Sequence, residues 1–496
     1  MVAEKSGVTS DRFPVDPQRP ASWVESRGEV LRELPGRRVY RATAGGVPVV
    51  VKEYSPRRLR RWLRSYAETE AANALEARTR GVDVVEPLAW ARLADGRQIL
   101  ILKEEEGARS LQDLILNAPP TGRARHELAR SVGRLVAKMQ NEGFRHGDPH
   151  AGNLLLRPDG SVLLADAGDL KPGSYLTCKE RAADLARFAP FFFRHGNRID
   201  LLLFWGAYAR TSGLVPDVLE ELRARVIERV PHAFRRLSRS RARRARRHGI
   251  PIRTGDFSGI AVRDIAEETL ERIGGLARDL RPGDHVVKRS RTAWTLVVDG
   301  LIVKVFLPKK ATRGLRDFVM GTRAERALLA AEALLHRGLR TPAVLATLRS
   351  RDGTRSILVM ERITDSFPLA EVVAGLSASQ AKAAAARIGR TLRRMHDWGL
   401  RHRDLKQQNL LLDRAGERIC FLDMDGVRQT ANLDWDRRLK DLANLDGSMH
   451  DFCAIPTGLR LRALDAYLRG AKRPEGFVRR LIAAAARQRE RRAGLS

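Results

Sequence analysis

The sequence predicts an α+β protein that consists of two homologous domains in tandem, and three observations lead to this fold class. The chain has 496 residues, which is too long for one ordinary hydrophobic core. The stretch FRHGDPHAGNLLLRPDGSVLLADAGD (144–169) returns in altered form as LRHRDLKQQNLLLDRAGERICFLDMDG (400–426). In both halves, segments with strand character come first and mostly helical segments follow.

The repeat has a nearly constant period. Each half contains, in the same order, a lysine at the end of a strand, an Asp, an Asn, a second Asp and a later helical Asp. The equivalent pairs lie 252–257 residues apart: Lys52 and Lys304, Asp148 and Asp404, Asn153 and Asn409, Asp166 and Asp423, Asp184 and Asp441. Several elements in one order at one period indicate a duplicated domain.

The order of elements within each half predicts the domain boundaries. Strands are expected around 47–53 and 295–306, each followed by a helical stretch rich in Ala, Leu and Glu (64–81 and 323–338). We predict one domain over 28–234 and a second over 284–496. The basic segment between them, 235–283, is expected to be a linker, or a solvated helix followed by a loop.

The charge of the chain favours anionic partners. The formal net charge is +32, from 91 Lys+Arg against 59 Asp+Glu. Such an excess suits nucleic acid, acidic lipid headgroups or phosphorylated substrates. Aromatic residues make up only 6% of the chain and do not alternate with basic residues, so nucleic acid is not expected.

The three cysteines are too few and too widely spaced for a disulfide framework or a zinc cluster, and they suit a reducing compartment. The first twenty residues lack the apolar region of a secretory signal. No uninterrupted apolar run reaches the length of about 18 residues that a transmembrane helix needs. We therefore expect a cytoplasmic protein, with peripheral contact to an anionic membrane as an option.

The repeated polar residues have the chemistry that phosphoryl transfer requires. In the second half, Asn409 follows Asp404 by five residues, and Asp423 comes after the next strand. One Asp can orient a hydroxyl nucleophile, while the Asn and the other Asp can hold a divalent cation. Lys304 can neutralise nucleotide phosphates, steadied by a Glu on the following helix.

The motifs resemble those of a known superfamily. HRDLKQQN with LDMDG resembles the catalytic loop and metal-binding motif of the protein-kinase-like superfamily, and HGDPHAGN with ADAGD resembles the form in its small-molecule branches. The tandem is most similar to the lipopolysaccharide (Kdo/heptose) kinase group. This resemblance covers both halves. It implies two bilobal domains, each with a small β-rich N-lobe and a mostly helical C-lobe, that use ATP and Mg²⁺.

The resemblance also implies roles for residues in both halves. The catalytic bases would be Asp148 and Asp404. The magnesium ligands would be Asn153, Asp166, Asn409 and Asp423. The phosphate-contacting lysines would be Lys52 and Lys304, with Glu70 and Glu325 as helix partners and Glu68 and Glu332 as rivals. The residues that brace the catalytic loops would be Asp184 and Asp441.

The sequence departs from protein kinases in ways that bear on the substrate. Neither half has a glycine-rich loop before its lysine, and the Asp-Phe-Gly motif reads DAG at 166–168 and DMD at 423–425. Both halves lack Ala-Pro-Glu, and only a short segment separates Asp423 from the stretch LDWDRRLKDL (433–442). This favours a sugar, a lipid-linked sugar or another small hydroxyl acceptor. Lys406, however, stands where serine kinases carry a phosphate-contacting lysine, and His150 stands there in the first half.

Three functions stay open at this stage. The first is a kinase that phosphorylates a hydroxyl of a lipopolysaccharide-core glycolipid or other small acceptor, with one or both sites active. The second is a serine/threonine protein kinase. The third is a pseudokinase scaffold that binds nucleotide or membrane, which the intact Lys, Asp, Asn and Asp in both halves argue against. The identity of the acceptor, coupling between sites and oligomeric state stay open.

Overall fold

The computed structural model describes residues 5–8, 22–24, 26–34, 36–55, 65–196, 198–283, 285–307, 321–431, 433–449 and 455–493. Most of the N-terminal stretch in which no secretory signal is expected lies outside these ranges, as does Cys453. The chain divides into two compact units, Met1–Arg229 and Val230–Ser496, here called unit 1 and unit 2. Each unit combines antiparallel sheet with helices, which confirms the predicted α+β fold class with two domains in tandem.

Unit 1 contains strands and helices in the predicted order. Its strands are β1 (Lys5–Val8), β2 (Ser26–Leu34), β3 (Arg37–Ala44), β4 (Val47–Tyr54), β5 (Pro87–Arg92), β6 (Gln98–Lys103), β7 (Arg109–Ser110), β8 (Arg145–His146), β9 (Leu154–Leu156), β10 (Val162–Leu164) and β11 (Leu170–Lys171). Its helices are α1 (Tyr66–Thr79), α2 (Leu111–Asn117), α3 (Gly122–Asn141), α4 (Cys178–His195), α5 (Arg198–Ser212) and the first part of α6 (Pro216–His248), which contains the boundary between the units.

The sheet of unit 1 positions the predicted lysine. Six strands pair in the order β1-β5-β6-β4-β3-β2, and β4 lies between β3 and β6. Side chains alternate across β4: Val49 and Val51 are buried in a core on one face, while Val50 packs with α1 on the other. The C-terminal part is mostly helical, with the short ladders β10-β9-β7 and β11-β8 between the helices. The catalytic-loop motif lies between β8 and β9.

Unit 2 repeats this arrangement. Its strands are β12 (Ile250–Thr254), β13 (Phe257–Ala261), β14 (Val286–Ser290), β15 (Ala293–Val298), β16 (Leu301–Phe306), β17 (Val344–Ser350), β18 (Ser356–Glu361), β19 (Phe367–Pro368), β20 (Leu400–His402), β21 (Leu410–Leu412), β22 (Ile419–Phe421) and β23 (Val427–Gln429). Its helices, after α6, are α7 (Glu267–Arg278), α8 (Arg323–Leu335), α9 (Leu369–Gly375), α10 (Ala378–Asp397), α11 (Trp435–Ser448), α12 (Thr457–Leu468) and α13 (Phe477–Ala493).

The segment 235–283, predicted as a linker or a helix followed by a loop, has regular structure over most of its length. Its first part continues α6, and β12 and β13 form a hairpin that joins the main sheet of unit 2, with strand order β12-β13-β17-β18-β16-β15-β14. A Cβ at Gly259 of β13 would lie 1.9 Å from the carbonyl oxygen of Thr347 on β17, so the close strand contact requires glycine. Helix α7 then buries Leu270 and Ile273. This segment accordingly belongs to unit 2.

Candidate active sites

In unit 1, the structure brings Lys52 of β4 to Glu70 of α1. The Lys52 ammonium forms an ion pair with Glu70 and also donates to the carbonyl of Ala165 at 2.9 Å. Lys52 is 5% exposed and Glu70 is 2% exposed, so both charges are withdrawn from water. A buried lysine needs such a partner, because an unpaired charge in this environment is strongly unfavourable.

Two further charged groups complete this cluster. Asp166, directly after the β9–β10 ladder, lies with Oδ1 3.9 Å from Lys52 Nζ, and its Oδ2 accepts from Arg37 Nη2 at 3.0 Å. The Tyr54 hydroxyl donates to Glu70 Oε2 at 2.5 Å, and the Arg37 guanidinium lies 5.4 Å from the centre of the Tyr54 ring. We call Arg37, Lys52, Glu70 and Asp166 the unit 1 charge cluster.

Burial and the neighbouring charges shift the pKa values of the two carboxylates in this cluster in opposite directions. Burial raises the pKa of Glu70, and the attraction of Lys52 only partly opposes the effect. Burial acts on Asp166 in the same direction, but there the positive charges of Lys52 and Arg37 outweigh it and hold the pKa well below the usual range. Asp166 is therefore an ionised carboxylate at neutral pH, as a cation ligand must be.

The catalytic loop of unit 1 places Asp148 beside Asn153. The Asn153 side chain donates through Nδ2 to the carbonyl of Asp148 at 3.0 Å, which fixes the turn between them. The Asp148 side chain is 52% exposed, with His150 Nε2 3.7 Å from its Oδ2. The carboxylate thus faces solvent, where an acceptor hydroxyl can approach it.

Asp184 of α4 holds the start of this loop. Its Oδ1 accepts from the backbone amide of His146 at 3.1 Å, and its Oδ2 accepts from Gln140 Nε2 at 3.3 Å. Burial raises the pKa of Asp184 to about 6 and lowers the pKa of His146 to about 4. This placement fits the bracing role that the resemblance implies.

In unit 2, the lysine cluster is built differently. Lys304 of β16 forms ion pairs with Asp423 and, at 2.9 Å, with Asp425 Oδ1. Arg323, the first residue of α8, binds Asp425 Oδ2 at 2.7 Å, and its guanidinium lies 4.4 Å from the centre of the Phe306 ring. We call Lys304, Arg323, Asp423 and Asp425 the unit 2 charge cluster.

The two carboxylates of this cluster have different environments. Burial, together with the neighbouring Asp425, raises the pKa of Asp423. Burial alone would raise the pKa of Asp425 too, but hydrogen bonding to Asp423 and the charges of Lys304 and Arg323 lower it. Asp423 also has a φ of +57°, a left-handed conformation that is unfavourable for a residue with a Cβ. Such conformations are held by their surroundings and concentrate at functional sites.

The structure does not bring Glu325 to Lys304. Glu325 is the third residue of α8, where its carboxylate accepts from the amide of Thr322 at 2.7 Å and its amide donates to the Thr322 hydroxyl at 3.2 Å. This reciprocal pair is a capping box that satisfies free amides at the helix start. The rival candidate Glu332 lies 3.1 Å from His336 Nε2. The predicted partner of Lys304 is thus replaced by the two aspartates.

The catalytic loop of unit 2 matches that of unit 1 and adds a lysine. The Asn409 side chain donates to the carbonyl of Asp404 at 2.8 Å, and Lys406 Nζ lies 2.8 Å from Asp404 Oδ2. The Asp404 side chain is 49% exposed. Lys406 therefore puts a positive charge directly beside the Asp404 carboxylate.

Asp441 of α11 occupies the position that Asp184 has in unit 1. It is fully buried and accepts from the amide of His402 at 3.2 Å and from Arg401 Nη2 at 2.7 Å. His402 Nε2 lies 2.8 Å from the carbonyl of Leu422, directly before Asp423. These contacts connect the catalytic loop to the strand that carries the second aspartate.

The unit 2 charge cluster and the catalytic-loop residues line one cavity of about 1060 Å³. Its polar wall includes Lys304, Arg323, Asp404, Lys406, Asn409, Asp423 and Asp425. Its apolar wall includes Ala293, Ile302, Leu358, Met360, Leu411 and Leu422. An apolar region that accepts a flat base beside a charged region that accepts phosphates is the arrangement a nucleotide needs.

Comparison with known proteins decides the family. A profile of the lipopolysaccharide kinase (Kdo/WaaP) family matches residues 21–187 and again residues 303–460, more than half of the chain. This chain belongs to that family. Each match contains one complete set of Lys, Asp, Asn and second Asp, so the duplication seen in the sequence is a duplication of the family domain.

Two curated relatives resemble part of the chain. Both are named 3-deoxy-D-manno-octulosonic acid kinase and come from Xylella fastidiosa. The protein from strain 9a5c is 38% identical over 116 residues, which are 23% of this chain and 44% of that relative. The protein from strain M23 is 40% identical over 91 residues, 18% of this chain and 34% of that relative. The matched stretches thus span less than half the length of these relatives.

The residues present fit the magnesium that this family implies. Within the described ranges, no group of three or more His, Cys, Asp and Glu side chains forms a metal site. Magnesium in phosphoryl-transfer sites, however, commonly takes one or two protein ligands, with nucleotide phosphates and water completing the shell. The amide nitrogens of Asn153 and Asn409 are used within their loops, which leaves the amide oxygens, with Asp166 and Asp423, as ligands.

Sequence reasoning missed three charged residues of these clusters. Arg37 and Arg323 lie outside the repeated motifs, and arginines are too common in this chain for either to stand out. Asp425 was visible only as a departure from the usual glycine.

None of the described helices is both long enough and apolar enough to span a bilayer.

Proposed function

We propose that this chain transfers the γ-phosphoryl group of ATP to a hydroxyl of a 3-deoxy-D-manno-octulosonic acid (Kdo) sugar on a lipopolysaccharide-core glycolipid. Each unit would carry one phosphoryl-transfer site. The observation that supports this most strongly is the cavity of unit 2, in which Lys304, Asp404, Asn409 and Asp423 meet. Unit 1 has the same four residue types in equivalent positions.

The residues of unit 2 suit the separate tasks of the reaction. The exposed carboxylate of Asp404 would accept the proton of the attacking hydroxyl. Lys406, next to that carboxylate, would stabilise negative charge on the transferred phosphoryl group. Lys304 would bind nucleotide phosphates, and Asn409 with Asp423 would hold Mg²⁺, which neutralises phosphate charge when bound.

Unit 1 would perform the same type of reaction with one difference beside its base. His150 lies 3.7 Å from Asp148 where unit 2 has a lysine. An imidazole carries a full positive charge only when protonated, whereas a lysine is charged throughout the neutral range. The two sites would therefore differ in rate or in acceptor.

Three features support a glycolipid acceptor. The relatives from Xylella fastidiosa are named as kinases of 3-deoxy-D-manno-octulosonic acid. The short segment after Asp423 and the absence of Ala-Pro-Glu argue against a peptide platform. The net charge of +32 suits a phosphate-bearing glycolipid in an anionic membrane surface.

The test is a direct measurement of phosphoryl transfer. The full chain is incubated with Mg²⁺ and γ-labelled ATP and with one of three acceptors: a glycolipid that carries Kdo, free Kdo, or casein. We expect label in the glycolipid and, more slowly, in the free sugar. Label in casein alone would support the protein kinase instead. Nucleotide binding without transfer to any acceptor would support the scaffold.

A further inference from the structure

Helices α1 and α8, which follow the lysine-bearing strands of the two units, can be compared residue by residue because their ends make the same backbone hydrogen bonds. After α1, the amides of Gly81 and Val82 bind the carbonyls of Arg78 and Ala77; after α8, the amides of Gly338 and Leu339 bind those of Leu335 and Leu334. The backbone amide of Leu164 donates to the carbonyl of Asp83 in unit 1, and the amide of Phe421 donates to the carbonyl of Arg340 in unit 2. Every one of these equivalents lies 257 residues apart. One register therefore runs from the helix to the loop of the second aspartate.

At this register, a carboxylate has changed place. The position of Glu70 on α1 corresponds to Ala327 on α8, which is fully buried. The position of Gly168, two residues after Asp166, corresponds to Asp425. Unit 1 thus has its lysine partner on the helix and glycine on the loop, while unit 2 has alanine on the helix and the carboxylate on the loop.

The two positions are in steric contact, which explains why they differ together. A Cβ at Gly168 would lie 3.3 Å from Asp166 Oδ1 and 3.4 Å from Glu70 Oε2. An aspartate there would crowd Glu70 and place three carboxylates together. Unit 2 avoids this conflict because Ala327 has no side chain beyond Cβ.

The guanidinium and the aromatic ring of the two clusters differ between the units as well. Arg37 pairs across the sheet with Tyr54, and the residue that pairs in the same way with Phe306 is Ala293. Unit 2 instead supplies its guanidinium from Arg323 on the helix. Phe306 also lacks the hydroxyl that binds Glu70 in unit 1. Each unit keeps two cations, two carboxylates and one aromatic ring, with one cation and one carboxylate relocated.

We propose that Asp425 is the positioning residue for Lys304, acting from the metal-binding loop as Glu70 acts from the helix in unit 1. This inference rests on the proposed phosphoryl-transfer function of unit 2. Asp423 is the expected magnesium ligand, so Asp425 is the carboxylate that continues to hold Lys304 once a cation engages Asp423. Arg323 binds the same carboxylate and thereby connects α8 to the lysine indirectly.

The test moves the carboxylate back to the helix. In a full-length Asp148→Asn background, where turnover reports on unit 2, the compared proteins are Asp425→Gly, Ala327→Glu and the double variant. We expect Asp425→Gly to raise the KM for ATP on the order of tenfold, as expected for loss of a charge-assisted bond. The Kd of a fluorescent Mg²⁺–ATP analogue for the unit 2 site should rise by the same factor, while the binding component from unit 1 stays the same in every protein compared. The double variant should recover most of this loss, while Ala327→Glu alone should weaken binding through carboxylate repulsion.

Other roles of Asp425 give other results. A magnesium ligand would be revealed by a higher Mg²⁺ requirement that Ala327→Glu does not correct, and this outcome would overturn the proposal. An unchanged KM and Kd in Asp425→Gly would overturn it as well. Failure of the proposed function is distinguishable: turnover would then be insensitive to Asp404→Asn, while the binding measurements would still report on Lys304.

The reverse substitutions in unit 1 test the same exchange if the unit 2 variants fail to fold. In an Asp404→Asn background, Gly168→Asp alone should impair nucleotide binding, because its side chain meets Glu70. Combined with Glu70→Ala, the same substitution should restore binding. Equal impairment in the single and double variants would contradict the exchange of positions.

Discussion

Replacing Glu70 with Ala should destabilise unit 1 strongly, because it leaves the Lys52 ammonium buried without its main partner. Removing one partner of a buried ion pair costs about 3–5 kcal/mol of unfolding free energy. Asp166 at 3.9 Å and the Ala165 carbonyl at 2.9 Å remain near Lys52. The lower end of that range, about 3 kcal/mol, is therefore the expected loss.

Thermal unfolding of the full chain, followed by calorimetry, measures this effect. For a domain of roughly 150–250 residues, a loss of about 3 kcal/mol lowers the midpoint by about 6–12 °C. Glu68→Ala is the matched control. Glu68 lies on the same helix and is the rival candidate, and its side chain forms no hydrogen bond or ion pair with another described residue. Its removal should shift the midpoint of unit 1 by less than about 2 °C.

Two results would contradict this prediction. Glu68→Ala could destabilise unit 1 as much as Glu70→Ala does, or Glu70→Ala could leave the midpoint unchanged. Either result would mean that the Lys52–Glu70 pair does not hold β4 and α1 together. The transition of unit 2 in the same scan is an internal reference, since both substituted residues belong to unit 1.

Three further predictions concern the catalytic loops. The pKa of Asp184 is raised to about 6 in the folded state, so the unfolding free energy should fall by up to about 3 kcal/mol as pH rises from about 4 to 6 and then level off. Urea unfolding of Asp184→Asn across this pH range should lack this contribution. An identical pH profile for the wild type and Asp184→Asn would contradict the prediction. Asp441→Ala removes the acceptor for the His402 amide and should lower kcat of unit 2 at least tenfold, restored in part by Asp441→Asn; unchanged kcat would exclude a bracing role. Lys406→Ala should lower kcat of unit 2 about a hundredfold with little change in the KM for ATP, and a change confined to KM would assign Lys406 to nucleotide binding.

The fold class and most of the catalytic-loop geometry follow from the sequence because duplication makes the pattern visible twice. Asp148 with Asn153, and Asp404 with Asn409, are close in sequence, and a short turn brings each pair together. The partner of Lys52 was also within reach, since a helix after a lysine-bearing strand presents only a few glutamates.

The partner of Lys304 was not predictable in the same way. Glu325 and Glu332 are the glutamates of the equivalent helix, but one caps the helix start and the other faces His336. The informative feature was the alanine at 327, and the loss of a charge is hard to notice in a helix rich in alanine. Only the shared backbone register shows that Ala327 and Asp425 belong to one exchange.

The role of 235–283 was obscured by its charge. Arginine-rich sequence reads as a solvated surface, and the short β12–β13 hairpin follows it directly. A hairpin of this length is stable only when it pairs with a larger sheet, and that pairing, with β17, involves residues far along the chain. The predicted limits of the two domains at 234 and 284 stay a prediction about the limits of independently folding pieces.

We propose that two equivalent aspartates, Asp148 and Asp404, drive phosphoryl transfer in one chain. The deciding experiment measures Mg²⁺-dependent transfer from ATP to a Kdo-bearing glycolipid by the wild type, Asp148→Asn, Asp404→Asn and the double variant, with nucleotide binding measured in parallel. We expect a partial loss in each single variant and no transfer in the double variant, with ATP still bound. Transfer by the double variant at the wild-type rate would rule out both aspartates as the catalytic bases.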